Sequence, residues 1–93
     1  MGQKARPKPK RLAEKLLQIR LALDLSQSEM FRRLDVEDLI AYKQISKYEL
    51  GLTEPPLPVL LQYARVAGVC VDTLIDDEAD LPAKLPAKSK HAR

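Results

Sequence analysis

The stretch from Ser26 to Gly51, SQSEMFRRLDVEDLIAYKQISKYELG, contains the signals for two helices and the connection between them. Ser26 followed three residues later by Glu29 forms a capping box, which marks the start of a helix. Gly51 stands where a helix commonly stops in a left-handed cap. The stretch therefore predicts a helix over 27–34, a connection over 35–40 and a second helix over 41–50.

The second of these helices has an apolar stripe and a polar remainder. Ala41, Ile45 and Tyr48 follow an i, i+4, i+7 spacing, which places them on one face that packs against a core. The residues between them are polar, hydrogen-bonding or cationic. Together with the capped helix before it, this pattern predicts a DNA-binding helix-turn-helix.

The connection over 35–40 continues neither helix. Leu39 and Ile40 do not fall on the face that carries Ala41, Ile45 and Tyr48, so a backward extension of the second helix would expose them. We predict a turn here, or a turn that contains a brief helical piece.

The charge of the chain is divided between its ends and its body. The 93 residues carry a net charge of +3, but residues 1–11 and 84–93 hold nine of the 16 cations and no acid. Residues 12–83 keep seven cations against all 13 acids, a formal charge of −6. A protein that binds a polyanion would therefore carry its positive charge in its arms and in one helix.

The sequence around the central stretch predicts three more helices. A helix over 11–23 has an apolar stripe, formed by Leu12, Leu16, Ile19 and Leu23. A fourth helix has Pro58 in its first turn and stops at Gly68. A short fifth helix over 72–76 buries Leu74 and Ile75. With 45% hydrophobic and 4% aromatic residues, the composition fits one small all-α bundle.

Both ends are predicted to be disordered tails. The predicted domains are a basic arm over 1–10, a helix-turn-helix domain over 11–81 and a basic tail over 82–93. Prolines alternate with cations in the arm, which can lie along a DNA backbone or enter a minor groove; its cations are Lys4, Arg6, Lys8 and Lys10. The acid run over 76–80 predicts a solvated helix end, with a cation site as the less favoured alternative.

The sequence contains little that indicates an enzyme, a cofactor site or a metal site. Cys70 is the only cysteine and His91 the only histidine, too few to build a closed zinc site. Cys70 stands between two valines and is predicted to be a small buried apolar residue. The sequence has no membrane-length apolar run, and a single cysteine fits a reduced, cytoplasmic setting. We expect no catalytic residues and no cofactor.

The chain resembles the lambda-repressor-like, or XRE-type, family of bacterial and phage DNA-binding domains. The resemblance covers about 12–81 and rests on the order and spacing of several motifs. These are Ile19-Arg20, Leu25-Ser26-Gln27, Ile45-Ser46-Lys47-Tyr48-Glu49-x-Gly51, Pro55-Pro56-Leu57, Leu60-Leu61-x-Tyr63-Ala64 and Gly68-Val69-x-Val71-Asp72-x-Leu74. The family implies a five-helix bundle that binds duplex DNA and regulates nearby genes.

The resemblance also implies roles for individual residues. Base contacts would come from the outward positions of the second motif helix, which is the recognition helix: Tyr42, Lys43, Gln44 and Lys47. Lysine can bind guanine O6 and N7, and glutamine can bracket adenine. Phosphate contacts would come from Gln27, Ser28 and Ser46, since a helix N-terminus favours an anion. Arg20 and Glu49 would form a structural salt bridge.

The chain departs from the family pattern around its turn. It has more residues between Gln27 and Ile45 than the family's usual spacing, which places an insertion within 35–40. Phe31 stands where the family prefers a small residue, and Asp35 where it prefers glycine. Cys70 replaces a capping serine, so Asp72 is predicted to cap the fifth helix.

We predict a sequence-specific double-stranded DNA-binding protein that acts as a transcriptional regulator. A homodimer would use the fifth helix, the tail or the exposed part of the insertion. The alternative is an antitoxin-like or adaptor module that binds a partner protein, which the acidic body favours. A third reading is non-specific DNA binding through the tails. For Lys43 and Lys47, the alternative to DNA contact is an ordinary solvated helix face.

Overall fold

The structure is a computed structural model that describes residues 8–87 of the chain. Within that range it contains five helices and no strand: α1 over Leu12–Ala22, α2 over Gln27–Leu34, α3 over Gln44–Glu49, α4 over Leu57–Ala67 and α5 over Val71–Ile75. The prediction of an all-α bundle of five helices is confirmed. No helix in this part of the chain is long and apolar enough to cross a membrane.

The ends of the two motif helices follow the local sequence signals. The Ser26 hydroxyl accepts the Glu29 N–H at 3.1 Å, and the Glu29 carboxylate accepts the Ser26 N–H at 2.8 Å, so the capping box is complete. After α3, Gly51 has a φ of 77°. The N–H of Leu52 then reaches back to the Lys47 carbonyl at 2.9 Å, as in a Schellman motif.

One apolar core joins the helices. The stripe predicted for α1 is buried, and Met30 and Leu34 of α2 meet Ile45 and Tyr48 of α3 in the same cluster. Tyr63 and the other buried residues of α4 complete that cluster. Burial of this apolar surface is the main source of stability for a domain of this size.

The recognition helix is shorter than the predicted 41–50. Residues 41–43 form a turn, in which Ala41 and Tyr42 accept i→i+3 hydrogen bonds from Gln44 and Ile45 at 3.0 and 3.1 Å. Ala41 is exposed, so its predicted place on the buried stripe is wrong. The connection before it is the expected turn: Val36 is fully buried, and its carbonyl accepts the N–H groups of Leu39 and Ile40.

Three predictions around α5 are wrong. The helix begins at Val71, and Asp72 lies inside its first turn without capping it. Cys70 is the residue just before the helix, its backbone is extended, and it is exposed. Ile75 is 44% exposed, and Leu74 is the buried residue of this five-residue helix.

Lys15 is buried on the core side of α1, which the apolar pattern did not predict. Its ammonium donates to the carbonyls of Thr73 and Asp76, both at 2.8 Å, and the residue is 0% exposed. These carbonyls lie at the C-terminal end of α5, where a helix carries partial negative charge. Lys15 therefore joins α1 to the end of α5.

The acid run is not simply solvated. The Asp77 carboxylate accepts the N–H groups of Lys10 and Arg11 at 2.9 and 3.0 Å. These groups precede α1, and Arg11, its N-cap residue, provides no side-chain cap. Asp77 therefore caps α1 across a sequence separation of 66 residues. The prediction of a solvated helix end is wrong for Asp77, although its neighbour Glu78 is exposed.

The sequence predicts an unpacked tail from residue 82 onward, but part of the segment over 82–87 lies against the bundle. Leu85 and Ala87 pack on the core, and the Ala87 N–H donates to the Ala67 carbonyl at 3.3 Å. A Cβ on Gly68 would come within 3.1 Å of the Ala87 nitrogen. The absence of a side chain at Gly68 lets this segment approach the end of α4. The rest of the predicted tail, 88–93, lies outside the described residues.

Substitution of Lys15 by methionine tests the buried ammonium. Lys15→Met keeps an apolar stem but leaves the carbonyls of Thr73 and Asp76 without their donor. We expect the free energy of unfolding to fall by about 1–3 kcal/mol, measured by urea denaturation. Lys84→Met, at an exposed position, is the control and should change little. Unchanged stability in Lys15→Met would show that desolvation of the ammonium cancels its hydrogen bonds.

The Asp77 cap predicts a pH dependence. The N–H groups of Lys10 and Arg11 lower the pKa of Asp77 below its ordinary value of 3.8. The stabilisation is therefore fully present above that value and is lost as the pH falls through the lower pKa of the folded protein. We expect Asp77→Ala to lower the melting temperature at pH 7, and the difference from wild type to shrink in acid. A difference independent of pH would contradict the cap.

Candidate nucleic-acid interface

The position of α3 is fixed by a buried ion pair with α1. The Arg20 Nε lies 2.6 Å from Glu49 Oε2, and its Nη2 lies 3.0 Å from Oε1. The side chains are only 15% and 5% exposed. Arg20 also donates to the Leu25 carbonyl at 3.0 Å, so one guanidinium joins α1, α3 and the segment before α2. This is the pair for which the resemblance implies a salt bridge.

Gln27 belongs to the same network. Its amide nitrogen donates to Glu49 Oε1 at 3.1 Å, so Glu49 of α3 binds α2 as well as α1. An amide NH₂ has two hydrogens, and one remains for a phosphate at the start of α2. The hydrogen bond to Glu49 raises the pKa of Arg20, and burial raises the pKa of Tyr48. Arg20 therefore stays charged and Tyr48 neutral around pH 7.

The outward side of α3 carries two cations. Lys43 and Lys47 are exposed and lie four residues apart, a spacing that places them on one helical face. Ile45 and Tyr48 are buried on the other side. Lys43 and Tyr42 precede the first turn of α3, so they lie at its N-terminal end and not within it.

Tyr42 contacts the ring of Phe31, the residue that stands where the family pattern has a small side chain. Its ring centroid lies 6.0 Å from that of Phe31, at an interplanar angle of 74°, an edge-to-face geometry. Tyr42 remains 49% exposed. Phe31 of α2 thus contacts the turn that precedes α3. The sequence pattern does not identify Phe31 as the partner of Tyr42.

Gln44 is less available than the other predicted base contacts. It is half-buried, and its Oε1 is buried without a hydrogen-bond partner among the described residues. An amide must present both its oxygen and its nitrogen to bracket adenine. In this conformation Gln44 cannot do so.

The predicted phosphate contacts lie at helix N-termini. Gln27 and Ser28 begin α2 and are half-buried, and the Ser28 hydroxyl lies 3.3 Å from that of Ser26. The capping box uses the N–H groups of Ser26 and Glu29, which leaves those of Gln27 and Ser28 for an anion. Ser46 is half-buried within α3.

The turn between the motif helices is acidic and partly apolar. Asp35, Glu37 and Asp38 are exposed, and Leu39 is 54% exposed. Phosphates are repelled by such carboxylates. If this side meets DNA, the tip of the turn must therefore lie away from the backbone.

Residues 8–10 of the predicted basic arm lie beside the loop that follows α3. Lys8 and Lys10 are exposed and line a groove with residues 51–54. Thr53 and Glu54 also border the groove that contains Lys43 and Lys47. The two groups of cations are thus separated by a short loop. The other predicted arm cations, Lys4 and Arg6, lie outside the described residues.

The described residues do not form a metal-binding site. Between residues 8 and 87, no group of His, Cys, Asp or Glu side chains could hold a metal ion.

Comparison with known protein families matches residues 16–74, more than half of the chain, to a helix-turn-helix family. The match begins in α1 and ends in α5, so it includes both motif helices and the Arg20–Glu49 pair. No curated protein and no solved structure matches the chain.

The buried ion pair predicts a large effect from an isosteric change. Glu49→Gln keeps the size of the side chain but leaves the Arg20 guanidinium partly buried and without its carboxylate. We expect the free energy of unfolding to fall by roughly 2–4 kcal/mol, measured by denaturant titration.

Asp80→Asn is the matched comparison for this test. Asp80 lies 2.7 Å from Arg11, but its side chain is 80% exposed, so its loss should cost much less. Similar losses in the two variants would show that burial does not strengthen the Arg20–Glu49 pair.

Proposed function

The chain belongs to the helix-turn-helix family of lambda-repressor-like DNA-binding regulators, and from that premise we propose that it binds a specific duplex sequence as a transcriptional regulator of the bacterial or phage type. α3 and the turn before it enter the major groove. The observation that carries the proposal is the pair Lys43 and Lys47: one precedes α3, the other lies within it, and both are exposed at one groove beside a helix that Glu49 attaches to α1 and α2.

Sequence readout in this proposal depends on a few side chains. Lys43 and Lys47 contact guanine edges or flanking phosphates, and Tyr42 supplies an apolar surface and a hydroxyl. Gln44 contributes only after a change of rotamer, because its Oε1 is buried. Gln27, Ser28 and Ser46 contact phosphates, and the arm lysines add contacts that carry no sequence information.

The protein acts on DNA as a homodimer in this proposal. A two-fold dimer would place two copies of α3 in successive major grooves, roughly 34 Å apart. The contact would come from α5, from residues 82–87 or from the exposed part of the turn over 35–40. If a two-fold dimer binds, the bound DNA sequence would be an inverted repeat.

A protein-interaction role is the second candidate. It is favoured by the turn over 35–42, where Leu39 and Tyr42 are about half-exposed beside three acids. An antitoxin-like or adaptor module would bind a basic partner at this turn. Such a protein would not select a duplex sequence.

The first experiment is selection of duplexes from a random library with the full-length protein. We expect an enriched motif, and an inverted repeat if a dimer binds. On the selected site, Lys47→Glu should weaken binding by about tenfold or more, the effect of losing one good base contact.

Arg65→Glu is the control for this measurement. Arg65 is exposed on α4, so the substitution changes the net charge equally without touching α3. Equal losses in the two variants would show that total charge, and not the face of α3, governs binding. Recovery of duplexes without any motif would favour non-specific binding by the tails or the protein-interaction role.

A further inference from the structure

We propose that Asp77 and Asp80 are positioning residues for DNA binding: they hold the start of the basic arm so that Lys8 and Lys10 lie beside the loop after α3 and contact backbone phosphates. This inference rests on the proposed function. It assigns a role to the acid run over 76–80, which by charge alone would oppose binding to DNA.

The backbone contact comes from Asp77. Its two carboxylate oxygens both lie 2.9 Å from the Lys10 nitrogen, and one of them lies 3.0 Å from the Arg11 nitrogen. Successive N–H groups bound by one carboxylate fix the direction of the chain at this point. The arm therefore leaves α1 along a set path.

The Arg11 side chain forms the second attachment. Its guanidinium donates to the Asp77 carbonyl at 2.9 Å and to the Asp80 carboxylate at 2.7 Å. Arg11 also reaches the Ala79 carbonyl at 3.4 Å. Residues 77–80 are thereby connected to Lys10 and Arg11 by both backbone and side-chain groups.

This path brings the arm close to the recognition face. Lys8 and Lys10 border the same groove as Thr53 and Glu54. These two loop residues also border the groove that contains Lys43 and Lys47. A backbone that crosses the loop would meet arm lysines on one side and α3 lysines on the other.

Positioning and simple electrostatics predict opposite signs. Removal of a carboxylate raises the net charge by one, which on its own strengthens binding to DNA. Loss of the attachment lets Lys8 and Lys10 move freely, so they contact phosphates less often and affinity falls. The sign of the change therefore identifies the mechanism.

The test compares Asp77→Ala with Glu78→Ala in the full-length protein. Glu78 is exposed, and no contact joins its carboxylate to the arm within the part of the chain that the structure describes. Binding to a duplex is measured over a series of salt concentrations, below the melting temperature of every variant. We expect Asp77→Ala to bind several-fold more weakly than wild type at low salt, whereas Glu78→Ala binds equally well or more tightly.

The salt dependence gives a readout that altered stability would not change. Each lost phosphate contact reduces the slope of log K against log salt by about 0.9, so loss of both lysine contacts should reduce it by about 1.8. Substitution of Lys8 and Lys10 by glutamine should likewise weaken the wild type and change Asp77→Ala little. Asp80→Ala, which loosens only Arg11, should give a smaller effect of the same sign.

The contrary outcomes are distinct. If Asp77→Ala keeps the wild-type slope, or gains affinity as Glu78→Ala does, the positioning role is wrong although the protein binds DNA. If the lysine substitutions cost as much in Asp77→Ala as in wild type, the role is also wrong. If the wild type binds no duplex at any salt concentration, the proposed function itself fails, and this inference fails with it.

Discussion

A helix of six residues cannot hold its own position, and α3 has only six. Isolated helices of this length are unstable in water, because nucleation costs more than so few hydrogen bonds return. The location of α3 is therefore determined from outside, by the burial of Ile45 and Tyr48 and by the carboxylate of Glu49. That carboxylate binds Arg20 of α1 and Gln27 of α2 at once. The position of Lys47, and of Lys43 just before the helix, follows from these buried contacts.

The end of α5 and the start of α1 are held by two contacts of opposite charge. Lys15 of α1 binds the carbonyls at the end of α5, and Asp77, just after α5, binds the N–H groups before α1. Each helix end thus receives the charge that its own partial charge favours. Since α5 has only five residues, these contacts compensate for the small apolar area that it can bury.

The features that the sequence predicted correctly are determined by neighbouring residues. The capping box of Ser26 and Glu29 and the left-handed Gly51 depend on signals within four residues, and the apolar stripe of α1 depends on helical spacing. The position of Asp77 could not be found in this way, because its partners are 66 and 67 residues away. The burial of Lys15 is not evident from the sequence, because the apolar stripe of α1 is complete without it. No vacant position in the stripe indicates a buried cation. Ala41 was misplaced because helical spacing was extended into a turn.

The sequence predicts which residues the candidate site would contain but not their detailed geometry. The spacing of the motif indicated Lys43 and Lys47, and both are exposed. The spacing could not show that the oxygen of Gln44 is buried, or that Tyr42 contacts Phe31. Both features lie at the start of α3, which begins at Gln44 and not at the predicted position 41. Because base readout requires both atoms of an amide but only the end of a lysine, the buried oxygen removes Gln44 from the base contacts of the proposed function. In the proposed function, the preference for a DNA sequence should therefore depend more on the lysines than the motif alone implies.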